Sequence, residues 1–173
     1  MARLLRGAPV AQALTLSLKP RVEALRDRGV VATLAVVRVG EGASDLSYER
    51  AARRRMDAVG IATKGIALPA DCSQAELTDA IDRVNEDAGI HGCLILRPLH
   101  RTLYERAACA ALDVAKDVDG VTAGSLYGMF ANRQVGFSPC TAEAVMKLLD
   151  YYGVELAGAK VTVVGRSLVI GKP

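Results

Sequence analysis

Val161-Thr162-Val163-Val164-Gly165-Arg166-Ser167-Leu168-Val169-Ile170-Gly171-Lys172-Pro173 reads as a β-strand running into a glycine loop, the pattern that opens a nucleotide-binding domain. Val161 to Val164 form a short β-branched run suited to a buried parallel strand. Gly165 and Gly171 permit a tight turn and close backbone approach to a phosphate. Arg166, Ser167 and Lys172 add phosphate-directed donors beside that loop. No helix follows Pro173 to offer its N-terminus to an anion, so the expectation is one domain plus the first strand of a second.

Upstream, helical and strand-like spacings alternate. Ala8 to Arg28 reads as a helix that Pro20 should kink or split and Gly29 should stop. Ala32 to Val39 reads as a strand, Asp45 to Val59 as a helix ending at Gly60, and Thr63 to Leu68 as a second strand. Ser73 and Glu76 have capping-box spacing and open a helix running to about Glu86. Gly92 to Leu96 is a nearly all-apolar third strand, and a helix follows near Leu103 to Leu112. Gly124 to Gly136 reads as loop, and Thr141 to Tyr152 as a helix that Gly153 ends. Strand and helix in regular order predict an α/β fold with a parallel sheet.

The 173 residues suit one domain or one domain and a fragment. With 51% hydrophobic residues, no Trp and two Phe, the core must be aliphatic. The net charge of +3 is mild, and much of the positive charge sits in Arg50, Arg53, Arg54 and Arg55. Basic and aromatic residues are not interleaved across a face, which argues against a nucleic-acid partner. The arginines fit either a solvated helix face or a site for an acidic small molecule.

Cys72, Cys93, Cys109 and Cys140 form no CxxC pair, and two histidines cannot complete a zinc site of usual spacing. Free, largely buried thiols in a reducing cytoplasm are expected, with no metal. The apolar run after Met1 is too short for a signal peptide, and no stretch reaches membrane-span length.

In an open parallel sheet, ligands collect beyond the carboxyl ends of the strands. Three segments should converge there: Gly40 to Tyr48, Leu96 to His100, and Asp117 to Asp119. Tyr48 could stack on a flat ligand and Asp119 could bind an N–H-rich ring edge. Equally, Tyr48 could pack its helix, Asp119 cap a turn and Pro98 end a strand.

Val39-Gly-Glu-Gly-Ala-Ser-Asp-Leu-Ser-Tyr48 with Gly60-Ile61, Gly92-Cys-Leu-Ile-Leu-Arg-Pro-Leu99, Lys116-Asp-Val-Asp-Gly120, Pro139-Cys-Thr141 and the Gly165-Arg-Ser167 to Gly171-Lys-Pro173 loop occur in one order. Together they resemble the methylenetetrahydrofolate dehydrogenase/cyclohydrolase family. The resemblance implies a three-layer parallel-sheet folate domain over residues 1–120. A linker would follow over 121–140, then the start of a Rossmann-type dinucleotide-binding domain over 141–173. It implies oxidation of 5,10-methylenetetrahydrofolate to the methenyl form, and a cytoplasmic homodimer joined through the nucleotide domain. By the same resemblance Tyr48 and Asp119 are the catalytic and substrate-binding pair, with Pro98 and Leu99 lining the folate pocket. Gly165, Arg166, Ser167 and Gly171 would face the cofactor. An Arg beside the phosphate loop favours NADP; NAD stays open, because the residue that reads the ribose would lie beyond Pro173.

The departures are chemically pointed. Ala52 stands where the family carries the lysine assigned to proton handling in the cyclohydrolase step, and Leu96 where a glutamine holds it. Losing both members of one hydrogen-bonded pair points to loss of one activity, since Leu96 beside a surviving lysine would strand its polar head. Arg53, Arg54 and Arg55 stay protonated and cannot act as bases. Arg55 and Arg97 could each bring positive charge near the pocket without replacing proton transfer. His100 stands where the family has a proline; histidine exchanges protons near neutrality, although a lone loop histidine is usually just solvated. Ser125, Tyr127, Ala142 and Ala144 depart from the family's Asn, Gly, Pro and Gly. Hydride transfer asks less of side chains than water activation does. The leading reading is therefore an NADP-dependent dehydrogenase with doubtful cyclohydrolase activity. The alternative is a non-catalytic folate-binding or regulatory paralogue.

Overall fold

The computed structural model describes residues 3–173. Its centre is a parallel sheet of β1 (Thr33–Val39), β2 (Ala62–Leu68) and β3 (Gly92–Ile95), in the order β2-β1-β3. In register, Val36 lies between Gly65 on one side and Leu94 on the other. As the middle strand, β1 is buried through its interior and reads as the unbroken apolar run Leu34 to Val37.

Alternation along the strands divides the core between the two faces. Ala35, Val37, Cys93 and Ile95 pack with Leu77, Ile81 and Val84 of α3 (Gln74–Glu86) and with Ala108 of α4 (Glu105–Ala111). On the other face Leu34, Val36 and Leu96 meet Met56 of α2 (Ala43–Val59), together with Ile61, Leu94 and Val118. The result is the expected three-layer arrangement. α1 (Gly7–Asp27) lies against α2 and also touches α6 (Cys140–Tyr151). No helix among the described residues is long and apolar enough to cross a membrane.

Local chemistry sets the element ends. Ser73 Oγ accepts from the Glu76 N–H at 3.2 Å while the Ser73 N–H donates to Glu76 Oε2 at 2.7 Å, completing the capping box. Gly60, at φ +93°, ends α2 in the left-handed conformation that glycine adopts without strain. Lys116 donates to the carbonyls of Val84, Asn85 and Asp87 at 2.7–2.8 Å, placing a cation on the C-terminal carbonyls of α3. The cysteines are free, and burial pushes the Cys93 thiol up to about 12.

Three sequence expectations are corrected. Pro20 does not split the first helix, which runs unbroken from Gly7 to Asp27. Pro20 itself is exposed, so the carbonyl it leaves without a donor can turn to water. The stretch expected to be loop, 124–136, begins instead with helix α5 (Ala123–Phe130), whose N-cap Thr122 accepts from the Ser125 N–H at 3.1 Å. Val161 to Val164 form no strand: Val164 is 97% exposed, and no described strand lies alongside to complete a ladder. A β-branched run supplies propensity, but pairing makes the strand.

Of the arginine cluster, Arg50, Arg54 and Arg55 are exposed, and Arg53 joins a paired network. Buried Arg38 donates to Glu49 at 2.9 Å and to the Gly40 carbonyl, and Arg53 donates to the same carboxylate at 2.7 Å. Burial alone would push the Glu49 carboxyl up, but the two arginines outweigh it and hold it below the usual carboxylate range. A depressed folded value contributes stability above the unfolded value, about 4.3, and that stability is lost as pH falls through the folded value. Glu49→Gln should therefore cost about 1–3 kcal/mol at pH 7 and flatten the loss of stability as pH falls below the unfolded value. Urea titrations across that range check this; an unchanged slope would count against the network.

Candidate functional site

Beyond the carboxyl ends of β1 and β3 the chain leaves a cleft of about 460 Å³. The start of α2 contributes Asp45 and Tyr48, the turn after β3 contributes Leu96, Arg97 and Pro98, and Asp119 closes a third side. The three segments the sequence nominated thus do meet. The start of α6 adds Cys140 and Thr141, and the glycine loop brings Val169 and Ile170 to the same hollow.

A second pocket, about 480 Å³, adjoins the cleft and shares Tyr48, Leu94, Asp119 and Cys140 with it. Tyr48, Ala52 and Met56 follow at intervals of four along α2 and so fall on one helix face, turned toward the sheet. Leu34, Met56, Ile61, Leu94 and Val118 give this pocket a largely apolar lining, to which Thr33, His91 and Asp119 add polar groups. Leu96 is 8% exposed and packs with Leu34 and Val36.

The acidic segment divides its labour. Asp117 is fully buried and accepts from the N–H groups of Val121 at 3.1 Å and Thr122 at 2.7 Å, so it fixes the turn. Gly120, at φ +67°, abuts Pro139, where a Cβ would come within 2.5 Å of the proline nitrogen. Cys140 is exposed as a residue, but its thiol donates to the Val118 carbonyl at 3.0 Å, and local desolvation of the sulfur, then the Asp119 and Asp117 charges, hold it above its ordinary value. Asp119, two residues from the buried anchor, is left at the cleft. Burial raises its carboxyl above the usual range, and Arg97, donating from Nη2 to Oδ2 at 3.1 Å, only partly offsets this. Arg97 also pairs with Glu105 at 3.5 Å.

Two nominated residues lie elsewhere. Leu99 packs against the core cluster on the α3 face, and its N–H donates to Glu105 Oε2 at 3.1 Å. His100 faces Thr102 Oγ1 at 3.0 Å, in a separate hollow with Cys72 and Gln74. Met56 and Val169 were missed, although Met56 was legible as the next step of the Tyr48–Ala52 stripe.

At the glycine loop, Lys172 N–H donates to the Ser167 carbonyl at 3.0 Å, and a Cβ on Gly171 would collide with the Gly165 carbonyl. The turn therefore closes only around glycine, with the Arg166 and Ser167 side chains exposed beside it. That arrangement fits the phosphates of a dinucleotide.

Known proteins match this chain along most of its length. The model of the tetrahydrofolate dehydrogenase/cyclohydrolase catalytic domain matches residues 5–119, and that of the same family's NAD(P)-binding domain matches 139–173. The chain is 42% identical over 173 residues to the bifunctional protein FolD of Carboxydothermus hydrogenoformans, and 39% over 171 residues to that of Clostridioides difficile. It covers 60% of each, so it spans less than two thirds of the relatives' length. The fold is similar to the Campylobacter jejuni bifunctional enzyme FolD (TM-score 0.95, 28% identity, 98% of this chain and 60% of that one). It is also similar to the Trypanosoma brucei dehydrogenase-cyclohydrolase complexed with NADP and inhibitor (TM-score 0.91, 30% identity, 98% and 58%).

Proposed function

The chain belongs to the tetrahydrofolate dehydrogenase/cyclohydrolase family, and from that premise we propose that it serves NADP-dependent oxidation of 5,10-methylenetetrahydrofolate, with methenyltetrahydrofolate cyclohydrolase activity weak or absent. One observation carries the reading. Tyr48, Pro98 and Asp119 share a cleft with Val169 and Ile170 of the glycine loop, while positions 52 and 96 offer only hydrocarbon.

In this reading Tyr48 lies against the flat part of the folate and the Asp119 carboxylate accepts from the pterin N–H edge. Pro98 shapes the wall, and Gly165, Arg166, Ser167 and Gly171 hold the dinucleotide phosphates. NADP held there would supply the hydride acceptor for the folate's one-carbon bridge. The chain's part is alignment and exclusion of water, for which the apolar pocket beside Ala52 is suited. Hydrolysis of the methenyl product needs a group that moves a proton to or from water. Neither Ala52 nor Leu96 can do that. Residues 1–120 are the folate-binding unit, 121–140 the linker and 141–173 the start of the cofactor domain, acting in a cytoplasmic homodimer.

Formation of NADPH dependent on 5,10-methylenetetrahydrofolate tests the proposal, and a folded full-length protein without it would overturn it. The second reading is a folate-binding paralogue without catalysis, favoured by the same Ala52 and Leu96. Tight folate binding with no NADP binding would select it.

A further inference from the structure

We propose that Arg97 is a positioning residue for the folate: it holds one oxygen of the Asp119 carboxylate and leaves the other to the ligand, with Glu105 fixing the guanidinium from behind. The inference rests on the folate reading above and deepens it. Arg97 Nη2 donates to Asp119 Oδ2 at 3.1 Å, and Nη1 pairs with Glu105 Oε1 at 3.5 Å. Glu105, the first residue of α4, also accepts the Leu99 N–H through Oε2 at 3.1 Å, so one carboxylate ties down both the arginine and the turn that carries it. Asp119 Oδ1 takes no hydrogen bond from the described residues and belongs to a residue lining the cleft.

The surroundings give the arginine something to do. The groups about Asp119 are Asp117 on its own segment, Glu105 and Cys109 on α4, Cys140 at the start of α6, Asp45 and Tyr48 on α2, and His91 just before β3. Arg97 is the one arginine or lysine among them. Burial and the Asp117 charge favour the protonated carboxyl, and Arg97 opposes both. A protonated Asp119 would offer the pterin one acceptor fewer. The arginine thus extends recognition to lower pH and fixes the carboxylate's rotation. Glu105 draws charge away from that pairing and limits its strength.

The test measures binding of 5-formyltetrahydrofolate to the full chain from pH 5.5 to 8.5, with Tm followed alongside. Arg97→Met should move the acid limb of binding to higher pH, so that affinity falls several-fold more at the acid end of the range than at pH 8.5. Arg97→Lys should return part of that shift, since it restores charge without the fork. Glu105→Gln keeps an acceptor for Leu99 but drops the competing charge, so it should move the limb the other way. A purely structural arginine predicts a lower Tm with pH-independent loss of affinity, and that result would overturn the proposal. Should Arg97→Met fail to fold, an unmoved limb in the isosteric Glu105→Gln would overturn it as well. Wild-type protein that binds no folate would instead overturn the reading on which it rests.

Discussion

Asp119→Asn is expected to weaken tetrahydrofolate binding by about 100-fold, a loss of about 2.7 kcal/mol, and to reduce dehydrogenase kcat/KM at least as much. The substitution keeps the shape of the side chain but exchanges an acceptor-only carboxylate for an amide with one acceptor. A pterin edge presenting N–H groups would then meet an NH₂ where it needs an oxygen, and a buried donor left unpaired costs about 1–3 kcal/mol. Arg97 would lose a charged partner at the same time, although Glu105 remains. The fold should survive, because the turn is held by Asp117 and by the fit of Gly120 on Pro139, which the change does not touch. Calorimetric titration beside a thermal melt separates the two effects. Unchanged affinity would remove Asp119 from the site.

Ala52→Lys with Leu96→Gln should raise methenyltetrahydrofolate hydrolysis by about 100-fold, the lower range for a positioned proton-transfer group, with dehydrogenation altered less than about threefold. The stripe Tyr48–Ala52–Met56 directs position 52 into the pocket beside the cleft, where a lysine would lie against Leu34, Leu94 and Val118. Asp119 also lines this pocket, and an ammonium that does not reach it is costly there and tends to lose its proton or to turn out to solvent. Ala52→Lys alone should therefore lower Tm and gain little hydrolysis. A glutamine at 96, in the adjoining cleft, would offer that lysine a hydrogen-bond partner, so the pair should be strongly non-additive. Additive effects, or no gain in the double variant, would show that water is activated elsewhere or not at all.

Much of the fold was legible because each local signal agreed with its neighbours. The apolar runs at Leu34–Val37 and Gly92–Ile95, the Ser73/Glu76 box and Gly60 gave the order of elements. The failures lie where tertiary context decides. Thr122 makes a helix start only once Asp117 has fixed the turn before it. Val161 to Val164 carry strand propensity with no paired neighbour. In the site, Tyr48, Pro98 and Asp119 could be nominated from motif and position. The Asp119–Arg97–Glu105 chain could not, since 22 residues separate its first pair and no periodicity links them. Leu99 and His100 mislead for the same reason: sequence places them beside Pro98, while the turn directs them to the opposite side of the sheet's end.

A single progress curve distinguishes dehydrogenation without hydrolysis from the two activities together. Full-length protein supplied with 5,10-methylenetetrahydrofolate and NADP should form NADPH and the methenyl product in step, with the methenyl species accumulating and decaying only at its uncatalysed rate. NADPH formation with methenyl product consumed as fast as it appears would contradict the account, because Ala52 and Leu96 would then not have cost the protein its second activity.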